Sequence, residues 1–249
     1  MHDRNCFDIF QDSTRIYNLD ESCLQLGPKT GKVVSFKGVK NVYEIAPGNE
    51  KSNLTFVGTF SASGEIVLPT IIFPYARIPK DILNNVPNNI AAKKTDSGWM
   101  NSLLFYEFIT SDFNNYLEEN KIQKPVLLFI DGASSHLTMQ LSIKAEELQI
   151  LLYILPPNTS HILQPADVGA FKPLKTYWRQ AIHDFQSKNP SVNVHRRDVA
   201  VILAGVLQKI TKETIINGFK ACGIYPLNPR AVDHSKLLDV RIIHEDGTE

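Results

Sequence analysis

The sequence has 249 residues, of which 43% are hydrophobic, and its 26 Lys plus Arg balance 26 Asp plus Glu to a formal net charge of zero. This length and composition are typical of one globular domain, or of one domain with a smaller appendage, and exclude a disordered, collagenous or coiled-coil chain. The zero net charge excludes whole-molecule attraction to nucleic acid, so any basic surface must be local. No apolar run reaches the roughly 18 residues that a membrane span needs, and the three cysteines form no CxxC pair. We therefore expect a soluble protein of a reducing compartment, with no membrane association.

Three predicted strands open the chain. They are rich in β-branched and aromatic residues and span residues 15–20, 54–60 and 66–73. The first ends on Asp20 and Glu21, so we expect acidic side chains at a strand end.

Two segments between these strands and the second half of the chain predict irregular structure. Residues 27–40 are rich in Gly, Pro and Lys and predict turns around a short basic hairpin, which carries Lys29, Lys32, Lys37 and Lys40. Residues 74–95 have no clear hydrophobic period and predict a surface loop.

The second half predicts strands and helices in alternation, which is typical of a parallel crossover unit. The predicted elements are a helix over 99–120 capped by Ser97, a buried strand over 125–131, a helix over 137–148, a buried strand over 150–157, and helices over 166–185 and 198–219. Asp131 ends the first buried strand. Pro165 suits the start of the next helix, which places Asp167 in its first turn.

Asp20, Asp131 and Asp167 predict a carboxylate cluster. Ligands of such sheets settle at the carboxyl ends of strands, and pairing of the fourth strand with the first would make Asp20 and Asp131 neighbours there. Clustered carboxylates stay ionised together only when a divalent cation neutralises them. Oxygen ligands with few histidines favour Mg²⁺ or Mn²⁺, and two such ions cleave phosphodiesters. The predicted substrate class is therefore a polynucleotide.

Each of these aspartates has a simpler interpretation when taken alone. Asp131 and Gly132 form a turn dipeptide, and a carboxylate at the position of Asp167 is favoured near any helix N-terminus. A phosphatase that forms an aspartyl phosphate would need a second Asp two residues after its nucleophile. Neither Asp20 nor Asp131 has one.

Five segments resemble the DDE endonuclease domain of pogo, Tigger and jerky-type transposases. They are IYNLDES at 16–22, SGWM at 97–100, VLLFIDGASSH at 126–136, LPPNTSHILQPADVGAFKPLK at 155–175 and GFKACGIYPLNP at 218–229. The resemblance covers roughly residues 7–229. Matched motif to motif, Asp20, Asp131 and Asp167 fall on the three metal-binding acidic positions of that family, and the 35 residues between Asp131 and Asp167 suit its spacing.

The resemblance implies an α/β fold of the ribonuclease H-like type, with a mixed five-stranded sheet flanked by helices. This catalytic domain would span residues 7–190, with a C-terminal helical extension of the same domain over 191–230 and a polar tail over 231–249. The implied activity is DNA cleavage and strand transfer by two Mg²⁺ or Mn²⁺ ions held by an intact Asp-Asp-Asp triad. The implied partner is DNA, and two copies of the protein would pair on two DNA ends. The resemblance also implies a nuclear location and no small-molecule cofactor.

The chain departs from the family pattern in two places, and the first of them supports an alternative. Relatives carry an N-terminal helix-turn-helix region that recognises transposon ends, whereas Met1 lies only nineteen residues before Asp20, so we expect end recognition to be absent from this chain. Gly132 and Ala133 follow Asp131 where the family commonly has a bulky polar residue and His. The alternative is a domesticated DNA- or chromatin-associating module without catalytic activity.

Further candidates surround the triad. Glu21, His136 and His161 are candidates to hold a carboxylate in place or to touch the scissile phosphate, with structural packing as the simpler interpretation. Residues 171–222 contain nine basic and three acidic residues, which favours contact with DNA phosphates, although lysines on helices also form ordinary solvated faces. The phosphate-contact candidates are Lys29, Lys32, Lys37, Lys40, Lys172, Lys175 and Arg179.

Overall fold

A six-stranded mixed sheet forms the centre of the molecule. The computed structural model describes residues 6–27, 37, 53–132, 138–189 and 192–233. The strands are β1 (Ile16–Gln25), β2 (Asn53–Ser61), β3 (Ile66–Pro74), β4 (Ala91–Thr95), β5 (Val126–Ile130) and β6 (Ile150–Ile154). They lie in the order β4-β3-β2-β1-β5-β6. The β1–β2 and β2–β3 pairs are antiparallel, and the other pairs are parallel.

Eight α-helices and two π-helical turns accompany the sheet in the described part of the chain. The helices are α1 (Lys80–Leu83), α2 (Ser102–Glu107), α3 (Asn114–Glu119), α4 (Met139–Glu147), α5 (Ser160–Leu163), α6 (Phe171–Lys188), α7 (Val199–Leu207) and α8 (Lys212–Ala221). The π-helical turns are Phe108–Phe113, which joins α2 to α3, and Ala166–Ala170, which leads into α6. Across these described residues, no helix is both long and apolar enough to cross a membrane.

Each face of the sheet has its own hydrophobic core, because successive side chains of a strand point to opposite faces. Ile16 and Leu24 of β1 lie in the core shared with α6, α7 and α8, and we call this side of the sheet the site face. Tyr17 and Leu19 lie in the opposite core, which is shared with α2, α3 and α4. The protein is therefore a three-layer α/β/α sandwich.

β1 is longer than the sequence indicates, so Asp20 is not at a strand end as we predicted. The strand continues to Gln25, and its antiparallel pairing with β2 extends to Gln25 opposite Asn53. Leu24 is fully buried and Ser22 is 4% exposed, which shows that the extra residues still pack against the core. Asp20 therefore lies in the middle of the strand.

The sheet has six strands rather than five because β4 forms inside the segment that predicted a loop. β4 pairs in parallel with β3 at the edge of the sheet. Its sequence, AAKKT, has no apolar alternation, and its lysines are typical of an edge strand. Only pairing with β3 makes this segment a strand.

Two predicted helices differ in detail from the structure. The helix predicted over 198–219 is divided into α7 and α8, and the Thr211 side chain caps α8 by accepting from the backbone N–H of Thr214. The helix predicted over 99–120 begins at Ser102, because Asn101 rather than Ser97 accepts from the backbone N–H of Leu104. The helices predicted over 137–148 and 166–185 are confirmed with shifted ends.

Candidate active site

Asp20 lies in β1, and Asp131 directly follows the neighbouring strand β5. β1 and β5 run parallel with Asn18 opposite Phe129, and Asp20 and Asp131 each lie two residues beyond this pair. Side-chain alternation places both on the site face, where Phe129 packs. Neighbouring strands lie about 4.8 Å apart, so the sheet brings these two carboxylates close together. The pairing of β1 with β5, which was the condition for Asp20 and Asp131 to be neighbours, is therefore present.

Asp167 reaches the same face from the π-helical turn at the start of α6. Pro165 precedes this turn, as predicted, and Asp167 lies in its first turn. The backbone N–H of Ala166 donates a hydrogen bond of 2.8 Å to Oδ1 of Asn18 in β1. Ala166 is also fully buried. The hydrogen bond to Asn18 attaches the turn that carries Asp167 directly to the strand that carries Asp20.

The pKa values of the aspartates record their proximity. Burial, together with the negative charges of Asp167 and Asp131, raises the pKa of Asp20 to about 8. Burial also raises the pKa of Asp167, with a contribution from Asp131, whereas the nearby Lys175 ammonium lowers it. The three carboxylates therefore interact through space.

Their side chains nevertheless do not converge as metal ligands. Within the described ranges, no group of three or more His, Cys, Asp or Glu side chains is placed to hold a metal ion. Like charges at short range favour diverging side chains, so ligation requires the carboxyl groups to turn toward one another. The backbone alignment and the all-oxygen donor set fit a hard divalent cation such as Mg²⁺ or Mn²⁺. The predicted convergence on a shared pair of ions stays a prediction.

Gln164 adds a buried amide to the site. This residue directly follows α5 and is 1% exposed, and hydrogen bonding from its side chain partly opposes the rise in the pKa of Asp20. Its carbonyl Oε1 is buried without a hydrogen-bond partner among the described residues. An unpaired buried oxygen is costly, so Oε1 is a suitable acceptor for a cation or for a water bound to one.

The other acidic and histidine candidates are distributed around the triad. The backbone N–H of Glu21 donates to Oδ1 of Asp20 at 2.7 Å, while alternation along β1 directs the Glu21 side chain to the opposite face. His161 and Asp167 line one cavity of about 670 Å³ together with Asn158 and Ser160. His136 lies outside the described residues.

The structure describes four of the seven basic residues that are candidates for contact with DNA phosphates. Lys175 lies near Asp167, as its effect on the pKa of that carboxyl shows, and its Nζ is 5.7 Å from the ring centre of Phe171. Lys172 and Arg179 are exposed on α6, and Lys37 is exposed. Lys29, Lys32 and Lys40, with most of the predicted hairpin, lie outside the described residues. Lys175 is thus the basic candidate that the structure associates with the aspartates.

Sequence reasoning missed Asn18 and Gln164. A signal for Asn18 was present, because it occupies a core-facing position in the alternation of β1 between Ile16 and the aspartate. A buried polar side chain in a strand needs hydrogen-bond partners, which points to a specific contact.

This fold is shared with transposase catalytic domains of known structure. The chain matches the Mos1 mariner transposase in its paired-end complex with Mn at a TM-score of 0.56 and 15% identity, covering 87% of this chain and 56% of that one. It matches the Mos1 strand transfer complex at a TM-score of 0.55 and 14% identity, covering 84% and 52%. The chain therefore shares the ribonuclease H-like fold of these catalytic domains, as predicted.

Sequence comparison identifies the family. Residues 51–219 match the family described as DDE superfamily endonuclease. The chain is 25% identical over 231 residues to the protein named MFS-type transporter clz9 of Cochliobolus lunatus, and 25% identical over 215 residues to pogo transposable element with KRAB domain of Homo sapiens. These alignments cover 92% and 83% of this chain but 25% and 35% of the relatives, so the chain spans only a part of their length. The chain belongs to the DDE superfamily endonuclease family.

Proposed function

We propose that this chain is the catalytic domain of a transposase-type DNA nuclease in which Asp20, Asp131 and Asp167 hold two Mg²⁺ or Mn²⁺ ions. The observation that carries the proposal is the alignment of Asp20 with Asp131 on the site face, with the Asp167 turn bonded to the same strand. Family membership supports the same chemistry. The Mos1 neighbour whose name includes a complex with Mn supports the choice of a divalent ion of this kind.

The residues around the triad have distinct roles in this proposal. The bound ions would supply an activated water and stabilise the leaving oxygen of the cleaved phosphodiester. Asp20 is partly buried and protonated at neutral pH in the metal-free protein, so it must lose a proton to become a ligand. Gln164 orients the Asp20 carboxyl, and the Lys175 ammonium is placed to bind a DNA phosphate beside Asp167.

A nicking assay on supercoiled plasmid tests the proposal. We expect the wild-type protein to nick DNA with Mg²⁺ or Mn²⁺ and not with EDTA, and Asp131→Asn to lose the activity. Asp184→Asn is the matched control, because Asp184 is a half-exposed aspartate of α6 that contacts Gln180 rather than the triad. Cleavage by the Asp131 variant at the wild-type rate would refute the catalytic role of this triad.

Lys175 tests the contact with DNA separately from cleavage. Removal of one phosphate contact lowers the slope of log binding constant against log salt by about one. We expect Lys175→Met to show this change in a fluorescence anisotropy titration with a DNA duplex. Lys188→Met, at the far end of α6, is expected to leave the slope unchanged. Equal slopes for both variants would remove Lys175 from the DNA interface.

Pairing of two copies on two DNA ends and a nuclear location are further parts of the proposal. The Mos1 paired-end complex with Mn supports the pairing. We expect sedimentation of the protein with a short duplex to give a complex containing two protein chains, and a fluorescent fusion of the chain to accumulate in the nucleus.

The alternative is a DNA-associating module without catalysis. It is favoured by one observation, the lack of convergence of the acidic side chains in the described part of the chain. The two functions predict different responses to metal, because a ligand that binds only the folded state stabilises it. A rise in melting temperature with millimolar Mg²⁺ or Mn²⁺ supports the nuclease, and an unchanged melting temperature supports the module.

A further inference from the structure

Asn18 is a buried polar residue at the junction of three elements. Its side chain is fully buried, on the face of β1 that also carries Ile16 and Leu24. Burial of an amide costs free energy unless the amide is hydrogen-bonded, so a core position of this kind is normally apolar. Asn18 must therefore find its partners inside the protein.

Both polar atoms of the Asn18 side chain have partners on other elements. Nδ2 donates to the backbone carbonyl of Phe129 in β5 at 3.1 Å. Oδ1 accepts from the backbone N–H of Ala166 at 2.8 Å. One side chain of β1 thus bonds the backbone of β5 and the backbone of the turn before α6.

These contacts lie next to all three aspartates. Asn18 is two residues before Asp20, Phe129 is two residues before Asp131, and Ala166 directly precedes Asp167. The Asn18 amide is rigid, so its donor and its acceptor are both hydrogen-bonded only when β1, β5 and the turn before α6 keep fixed positions relative to one another. A shift of either partner would leave a buried polar group unpaired, which is unfavourable.

We propose that Asn18 is a positioning residue that fixes the distances between the three aspartates for metal binding. This inference rests on the proposed function, because it assigns a purpose to the spacing of the triad. Asn18 itself is neither a metal ligand nor a group that touches DNA. It acts only through the backbone segments that carry the ligands.

Metal affinity, measured without DNA, is the first test. Loss of a residue that holds metal ligands in place typically weakens metal binding by about 10- to 100-fold. We expect Asn18→Leu and Asn18→Ala to bind Mn²⁺ at least about ten-fold more weakly than wild type, as measured by electron paramagnetic resonance at a temperature well below unfolding. The Ala variant leaves room for a water to satisfy the two backbone groups, so it should fold even where the Leu variant does not.

Leu24→Ala is the control for a merely structural effect. Leu24 is fully buried on the same face of the same strand, and its truncation would leave a cavity that destabilises the core. We expect this variant to lose stability while it keeps the Mn²⁺ affinity of the wild type. Equal weakening of Mn²⁺ binding in the Leu24 and Asn18 variants would overturn the positioning role.

Amide hydrogen exchange gives a second, metal-free measurement. The Ala166 N–H is protected by Asn18, so its exchange should be at least about ten-fold faster in Asn18→Ala than in wild type, in EDTA. If the Ala166 amide of Asn18→Ala exchanges at the wild-type rate, or if both Asn18 variants bind Mn²⁺ as tightly as wild type, the positioning role of Asn18 is refuted while the proposed function stands. Failure of the wild-type protein itself to bind Mn²⁺ would refute the proposed function, and the inference with it.

Discussion

The substitution Asp20→Asn is expected to make the metal-free protein more stable than wild type at alkaline pH. The cause is the pKa of Asp20, which burial and the charges of Asp167 and Asp131 raise from 3.8 to about 8. The folded protein therefore keeps a proton that the unfolded chain loses near pH 4. Stability that depends on this proton is fully present below the unfolded pKa and is lost as the pH rises through the folded pKa. Asn has a similar shape and no charge, so the Asp20→Asn variant does not lose this stability as the pH rises.

Chemical unfolding in EDTA across this pH range measures the effect. Relative to Asp20→Asn, the wild-type free energy of unfolding is expected to fall by on the order of 6 kcal/mol between about pH 4 and about pH 9, which is the shift from 3.8 to about 8 at about 1.36 kcal/mol per pKa unit. Asp184→Asn, which changes a half-exposed aspartate, is expected to follow the wild-type curve. Parallel curves for wild type and Asp20→Asn would show that Asp20 titrates normally in the folded state.

Divalent cations should reverse the order of stability at alkaline pH. Mg²⁺ or Mn²⁺ favours the ionised carboxyl of Asp20 and stabilises only the folded protein. We expect the wild-type melting temperature at about pH 8 to rise with millimolar Mg²⁺, while that of Asp20→Asn stays constant. The same substitution should abolish plasmid nicking, so this variant gains stability where it loses activity.

The substitution Gly218→Ala is expected to destabilise the protein through the Asp167 turn. A Cβ atom at this position in α8 would lie 2.8 Å from the backbone carbonyl oxygen of Pro165 and 3.2 Å from Cα of Gly169. Backbone atoms cannot rotate away as a side-chain end can, so the turn before α6 must move. We expect a loss of about 1–3 kcal/mol in the free energy of unfolding, together with weaker Mn²⁺ binding.

Gly205→Ala is the matched control for this close contact. Gly205 lies in α7, and a Cβ atom there would meet nothing within 4 Å. Alanine is favoured over glycine in a helix, so this substitution should stabilise the protein by about 0.5–1 kcal/mol. Opposite signs of the change in the free energy of unfolding for Gly218→Ala and Gly205→Ala, measured with urea, would support the role of α8 in holding the site. The same sign for both variants would contradict the close approach of α8 to the turn.

The strands that carry the site differ in how well their sequences predicted them. β5 was predicted because VLLFI is a continuous apolar run, as expected of a strand buried on both faces. β1 was predicted too short, because Ser22 and Cys23 interrupt the apolar pattern while their backbone still pairs with β2. β4 was missed because its stability comes from pairing with β3 rather than from apolar side chains of its own. The division between α7 and α8 was missed because the apolar spacing continues across it.

The amino-acid pattern by itself determined the α/β class, the parallel crossover of β5 and β6 and the placement of Asp167 in the first turn of a helix, because periodicity and turn chemistry are local properties. Only the tertiary structure decided that Asn18 bonds β5 and the turn before α6, that Gln164 is buried against Asp20, and that α8 approaches this turn through glycine. Those contacts join residues more than a hundred positions apart in the case of Asn18, and local sequence preferences contain no information about such distances. The rise in the pKa of Asp20 has the same origin, since burial and neighbouring charges exist only once the chain has folded.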